Sequence, residues 1–95
     1  MTAGRPARRI VVRGRVQGVF YRNWTVTAAR ALGLAGWVRN RRGGEVEILA
    51  MGPEQAIERL AAMCREGPPA ASVDEVEVEE AEPEPLDGFS KRPTV

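Results

Sequence analysis

Two segments of this 95-residue sequence carry residue types that could do chemistry on an anion. The first, residues 14–22, reads GRVQGVFYR and places two glycines four residues apart before Arg22. Glycines permit positive φ, and consecutive backbone N–H groups in such a turn form a concave anion site. The planar guanidinium of Arg22 suits a two-point contact with a phosphate. The segment therefore indicates a phosphate site, with a purely structural turn and a solvated arginine as the alternative.

The second segment is GWVRN, which ends at Asn40. An asparagine at the end of a strand most often forms a turn by bonding its own backbone. Its side-chain amide can also hold a water molecule, as both donor and acceptor. Neither segment is a nucleotide-binding motif, because no Gly-Lys-Ser/Thr and no GxGxxG follows the expected strand.

These two segments need elements that position them. Residues 8–13 contain a β-branched run and are predicted to form a strand, as are residues 34–40. Between them a helix is predicted from about Arg22 to Gly33, with an apolar face made of Trp24, Thr27, Ala28, Ala31 and Leu32.

The second half of the sequence repeats this order. Residues 41–44 are predicted to form the turn of a hairpin into an alternating strand, residues 45–50. A second helix begins near Pro53 and buries Ala56, Ile57, Leu60, Ala61 and Cys64. A fourth strand covers residues 73–78. The tail, 82–95, holds three prolines and is expected to be irregular with a short edge strand near Phe89.

The order β-α-β-β-α-β is typical of the ferredoxin-like split β-α-β sandwich, an α+β fold with an antiparallel sheet and two helices on one face. One domain over residues 1–95 is expected from the length, with residues 1–7 flexible. Because this fold hosts many functions, it does not by itself decide the activity.

Composition limits the possible chemistry and location. The sequence has no histidine and one cysteine, so zinc sites, histidine acid–base chemistry and an internal disulfide are not expected. Cys64 is predicted to be a buried, inert thiol. No apolar run is long enough to cross a membrane and no signal peptide is recognisable, which favours a cytoplasmic location.

Charge is divided unevenly along the chain. Residues 1–44 hold ten arginines and no acidic residue, whereas residues 45–95 hold four basic and thirteen acidic residues. Such a division can indicate an acidic partner such as nucleic acid, or a small-anion site. Alternatively, the two halves interleave in the fold and neutralise each other.

GRVQGVFYR, GLAGWVRN and the following GEVEI together resemble the acylphosphatase family over roughly residues 8–80. The resemblance implies hydrolysis of acyl phosphates without metal or cofactor. It also implies that Arg22 binds the phosphoryl group and that Asn40 positions the attacking water. The implied phosphate-binding backbone comprises Gly14, Arg15, Val16, Gln17, Gly18, Val19 and Phe20. The sequence departs from the family pattern after Phe89, where a GFxI(R) ending is common but Ser90-Lys91-Arg92-Pro93 stands here.

This implied reaction agrees with what residues 1–44 lack, namely Asp, Glu, Cys and His. A strong general base or a covalent nucleophile from this half is excluded. An acyl phosphate needs neither, because its carboxylate leaving group requires no protonation. Positioning and electrostatics supply most of the catalysis in phosphoryl transfer.

Two other readings compete with an independent enzyme. The first is a nucleic-acid-binding module of the same fold, which would display aromatic side chains on the open sheet face. Only Trp37 is available on the predicted strands, so this reading is disfavoured. The second is an accessory domain of a larger protein, against which the length and Met1 favour an independent chain. We expect a monomer with no nucleic-acid or membrane partner.

Overall fold

A computed structural model describes residues 5–95 and has the predicted order of elements, including the short fifth strand expected near Phe89. Of the segment predicted to be flexible, residues 1–4 lie outside the described residues, and Ala7 already belongs to the first strand. The seven elements are β1 (Ala7–Arg15), α1 (Tyr21–Ala31), β2 (Ala35–Asn40), β3 (Val46–Met51), α2 (Glu54–Cys64), β4 (Ser72–Glu80) and β5 (Phe89–Lys91).

The five strands form one sheet in the order β4-β1-β3-β2-β5. The pairs β1–β3, β1–β4 and β2–β3 are antiparallel, which confirms the ferredoxin-like arrangement. β5 differs from the predicted antiparallel pattern because it pairs parallel to β2. After β4 the chain crosses the end of the sheet to its far edge and enters β5 in the direction of β2.

Both helices cover one face of the sheet and enclose the main core. α2 buries Ile57, Leu60, Ala61 and Cys64 at helical spacing, as predicted, while Ala56 is only partly buried. The buried face of α1 differs from the prediction: it consists of Tyr21, Thr25, Ala28 and Ala29, whereas Thr27 and Ala31 are exposed. The polar Thr25 can be buried because its hydroxyl donates to the carbonyl of Tyr21 at 2.8 Å.

The opposite face of the sheet, which we call the open face, carries a second small core. Ala7, Ala35, Trp37, Leu49 and Met51 form it, and Ala81 and Leu86 of the irregular tail pack against it. Trp37 is only 5% exposed, and the guanidinium groups of Arg39 and Arg92 lie 4.5 and 5.1 Å from its ring centroid. This indole is therefore not available to stack on a base.

Ion pairs between the two halves of the chain cover the rest of the open face. Glu47 is 2% exposed, forms an ion pair with Arg9 Nε at 3.0 Å and accepts a hydrogen bond from Arg39 Nε at 2.8 Å. Along the edge, Arg9 pairs with Glu79 at 3.1 Å and Arg13 with Glu77 at 2.9 Å. The interleaving interpretation of the charge division is thus confirmed for these arginines, because β1 lies between β3 and β4.

Gly14 lies at a β-bulge where β1 shifts register against β4. Its φ is +131°, and a Cβ at this position would lie 2.3 Å from the carbonyl oxygen of Ser72. Glycine is required here for the close approach of two strands. Among residues 5–95, neither helix has the length and apolar character needed to span a membrane.

Candidate active site

Apolar side chains that pack into the main core hold the loop after β1 in place. Val16 and Val19 are buried in the main core and fix the two ends of a turn whose centre, Gly18, has a φ of +74°. Phe20 has a φ of +63° and a ψ of +23°, the left-handed conformation that is uncommon for a residue with a Cβ. Backbone strain of this kind is concentrated at functional sites.

This turn leaves backbone donors available. The N–H groups of residues 17–20 donate to no backbone carbonyl of residues 5–95. The first helical hydrogen bond of α1 runs from the N–H of Trp24 to the carbonyl of Phe20 at 3.0 Å. The N–H groups that come before Trp24 in the first turn therefore have no acceptor within the helix. Free N–H groups at a helix N-terminus favour an anion.

The beginning of α1 is anchored by Tyr21. Its buried hydroxyl donates to the carbonyl of Cys64 at 2.6 Å, and burial raises the pKa of Tyr21 well above its usual range. Burial also raises the pKa of the Cys64 thiol to about 12, so this cysteine is protonated at neutral pH. Cys64 is the only cysteine and lies in the core, which confirms that it is a buried thiol and not a nucleophile.

Arg22 and Asn40 face a common cleft of about 290 Å³ at this end of the molecule. The residues that line it are Val16, Gly18, Phe20, Tyr21, Arg22, Asn23, Asn40 and Lys91. None of these residues is acidic, so Arg22 and Lys91 give the lining of the cleft a positive charge. No three potential metal-ligating side chains converge anywhere in residues 5–95.

A different element positions each of the two side chains predicted to act in catalysis. Arg22 lies in the first turn of α1, and its Nη1 donates to the carbonyl of Arg92 at 3.2 Å. Asn40 is the last residue of β2, and its backbone carbonyl accepts the N–H of Val95 at 3.1 Å. The segment after β5 therefore contacts both, and its hydrogen bonding to β2 continues past Pro93.

The side-chain oxygen of Asn40 is unusual in its surroundings. Asn40 Oδ1 is buried, and it accepts no hydrogen bond from any residue in the range 5–95. A buried acceptor without a partner is costly and needs a reason in a native structure. Asn40 lines the cleft beside Arg22, and a water bound next to this oxygen would supply the missing donor.

Gln17 ties the loop to the hairpin. Its side-chain amide donates to the carbonyl of Arg41 at 2.7 Å and to that of Glu45 at 2.8 Å. These two residues flank the turn that follows Asn40, so the loop and the asparagine are held in a fixed relation. Sequence reasoning placed Gln17 among the phosphate-binding backbone residues and did not predict this use of its side chain.

The remaining predicted site residues do not all reach the cleft. Val16, Gly18 and Phe20 line it, whereas the side chain of Val19 is in the core. Gly14 and Arg15 belong to β1, where they pair with Val73 and Ser72 of β4. Lys91 was not predicted as a site residue. Strand alternation from Phe89 could have found it only once β5 was known to lie beside β2.

Known proteins share the sequence pattern and the fold of this chain. The family described as Acylphosphatase matches residues 8–91. An acylphosphatase of Rhizorhabdus wittichii is 52% identical over 91 residues, which cover 96% of this chain and 92% of the relative.

Solved structures agree with this assignment. An acylphosphatase from Coxiella burnetii superposes with a TM-score of 0.88 at 38% identity, covering 94% of each chain. An acylphosphatase from Bacillus subtilis gives 0.87 at 41% identity, covering 90% of this chain and 97% of that one. The present chain belongs to the acylphosphatase family. It is an enzyme that hydrolyses acyl phosphates, and the nucleic-acid-binding alternative is not favoured.

Proposed function

We propose that the cleft performs this hydrolysis by direct attack of water on phosphorus. Arg22 and the backbone N–H groups of residues 17–20 hold the phosphoryl oxygens, while the side chain of Asn40 orients the water. The observation that carries the proposal is the buried, unpartnered Asn40 Oδ1 in the same cleft as Arg22. An acceptor at this point would fix one hydrogen of the water and direct its oxygen.

The reaction balances without any further group from the protein. The oxygen of the water forms a bond to phosphorus, and the bond from phosphorus to the acyl oxygen breaks. The carboxylate leaves with the electron pair and needs no proton. The proton lost by the water passes to a phosphoryl oxygen, so inorganic phosphate is the second product. Arg22 and the N–H groups stabilise the negative charge on the phosphoryl oxygens throughout.

The same chemistry predicts which substrates are poor. A phosphate monoester has an alkoxide leaving group, which needs a general acid, and no residue lining the cleft is an Asp, Glu, His or Cys. We propose that monoesters are hydrolysed slowly and that activity is independent of divalent metals. An assay of acetyl phosphate and a phosphate monoester, each with and without chelator, measures both properties.

The role of Asn40 is tested by Asn40→Ala. Because the water would lose its orienting group while the phosphoryl site is kept, we expect kcat to fall by roughly 100- to 1,000-fold. The KM and the inhibition constant of inorganic phosphate should change less than about threefold. Gln55→Ala removes an exposed amide from α2, away from the cleft, and serves as the matched control. A normal kcat in the Asn40 variant would contradict the proposed role.

We further propose that this domain acts as a cytoplasmic monomer on small acyl phosphates. The monomer is supported by the open face, where ion pairs and the tail already cover the apolar side chains. The location is supported by the lone cysteine, which forms no disulfide.

A further inference from the structure

Lys91 lies in the cleft because of the way β5 joins the sheet. In the parallel pairing of β5 with β2, Phe89 is opposite Gly36 and Lys91 is opposite Val38. Phe89 is buried beneath the helices, and side chains two residues apart on a strand point to the same face. Lys91 therefore points to the helix face, beyond the core, where it reaches the cleft at the start of α1.

The charge of Lys91 is not used within the fold. Among residues 5–95 it forms no ion pair within 4.0 Å, and no acidic residue lines the cleft with it. The neighbouring Arg92 points to the opposite face, where it lies over Trp37 and 3.8 Å from Glu84. The acidic tail thus neutralises Arg92 and leaves Lys91 free for a ligand.

Lys91 is a second cation, separate from the groups proposed to hold the phosphoryl group. Arg22 is in α1 and the loop precedes it, whereas Lys91 is on a different element, β5. Phe20 also lines the cleft, and it exposes 79% of its surface. This exposed ring offers apolar contact for the carbon chain of an acyl group.

We propose that Lys91 is a specificity-determining residue that selects acyl phosphates whose acyl group carries its own negative charge. The proposal rests on the assignment of the phosphoryl group to Arg22 and the loop. In the bound substrate the acyl carbons lie along Phe20, and the second anionic group contacts the ammonium of Lys91. A compact, mobile ammonium suits a carboxylate at the end of a short, flexible chain.

The test compares two substrates of matched length, succinyl phosphate and butyryl phosphate, which differ by one terminal carboxylate. In Lys91→Met, we expect kcat/KM for succinyl phosphate to fall about fivefold, as for one solvent-exposed charge contact. The value for butyryl phosphate should change less than twofold. The preference should also decline as ionic strength rises, because an exposed contact is screened.

Two further variants separate charge from fold. Lys91→Arg keeps the cation and should retain the preference for succinyl phosphate, whereas Lys91→Glu should reverse it. Arg59→Met removes an exposed cation from α2, outside the cleft, and should leave the ratio of the two substrates unchanged.

The possible results have distinct meanings. An equal loss for both substrates in Lys91→Met would place Lys91 at the phosphoryl group and overturn the proposal. An unchanged ratio would also overturn it. If the unsubstituted enzyme hydrolyses neither compound, the proposed function fails together with the subsite. If it hydrolyses both while only the ratio is insensitive to Lys91, the subsite alone fails.

Discussion

The open face of the sheet and the cleft beside Arg22 both contain cations, but these cations differ in their partners. On the open face, Arg9 and Arg39 contact the buried Glu47, and their charges stabilise the fold. In the cleft, Arg22 donates only to a backbone carbonyl, and Lys91 contacts no acid among the described residues. Arg9, Arg39 and Arg22 are the same residue type, so the difference lies in whether a carboxylate partner is present: with one the cation supports the structure, and without one we propose that it binds a ligand.

Arg22→Ala is expected to have the largest effect of the variants that test this difference. The cleft would lose its proposed main phosphoryl contact, on which we expect both ground-state binding and turnover to depend. We expect kcat/KM to fall by at least about 1,000-fold, equivalent to roughly 4 kcal/mol. The half-exposed Arg22 forms one hydrogen bond in the fold, so the free energy of unfolding should change by less than about 1 kcal/mol. A variant that is inactive because it is unfolded in circular dichroism would not support the comparison.

The opposite result is expected from Arg9→Met on the open face. This change removes one of the two short contacts of the buried Glu47 carboxylate and leaves Arg39 as its partner. We expect the free energy of unfolding to decrease by about 2 kcal/mol, the cost of an underpaired buried charged group. Because Arg9 does not line the cleft, kcat/KM should remain within twofold of the original value. Urea denaturation and steady-state kinetics on the same sample measure both quantities. A loss of activity without a loss of stability would contradict the structural role assigned to the cations of the open face.

The third test uses alkaline pH, at which arginine side chains in either region keep their charge. The folded state raises the pKa of Cys64 from its ordinary value of 9.0 to about 12 by burial, and it raises that of Tyr21 in the same direction. The unfolded chain therefore loses these protons first. Stability is fully present below about pH 9 and should decrease as the pH rises towards 12.

Cys64→Ala provides the control for this effect. It should reduce the slope of unfolding free energy against pH above pH 9, although it also leaves a small cavity that lowers stability at every pH. An unchanged slope would show that Cys64 does not contribute to the pH dependence of the unfolding free energy. This test bears least on the comparison of the two regions, because both groups belong to the main core and to neither charged region.

The sequence was sufficient for the order of elements, for the helix-covered sheet, and for Arg22 and Asn40 as neighbours. Local periodicity and glycine turns encode these features, and the family motifs link the two segments. The buried face of α1 was predicted incorrectly for Thr27 and Ala31. The apolar spacing that begins at Trp24 indicated one face of the helix, whereas the buried face includes Tyr21 and Thr25. A threonine hydroxyl that bonds its own helix can be buried, and hydropathy alone does not show this.

Other features depend on contacts between distant parts of the chain. The parallel direction of β5 and the position of Lys91 in the cleft follow from a tail that crosses the end of the sheet, for which residues 82–95 show no local signal. The side-chain bridge of Gln17 to the hairpin has the same origin. The pairing of Arg9 and Arg39 with Glu47 required the strand order, since the sequence showed only that opposite charges lie in opposite halves.

The hydrogen bond from Arg22 to the carbonyl of Arg92 joins residues 70 positions apart in the chain. Chains with many such distant contacts fold slowly, because the entropy of closing a long loop is lost before the contact forms. We therefore expect the cleft to be assembled late, once β5 has docked beside β2. A fragment that ends before β5 would lack both Lys91 and the carbonyl that accepts from Arg22. The return of activity during refolding should then report the arrival of the last strand.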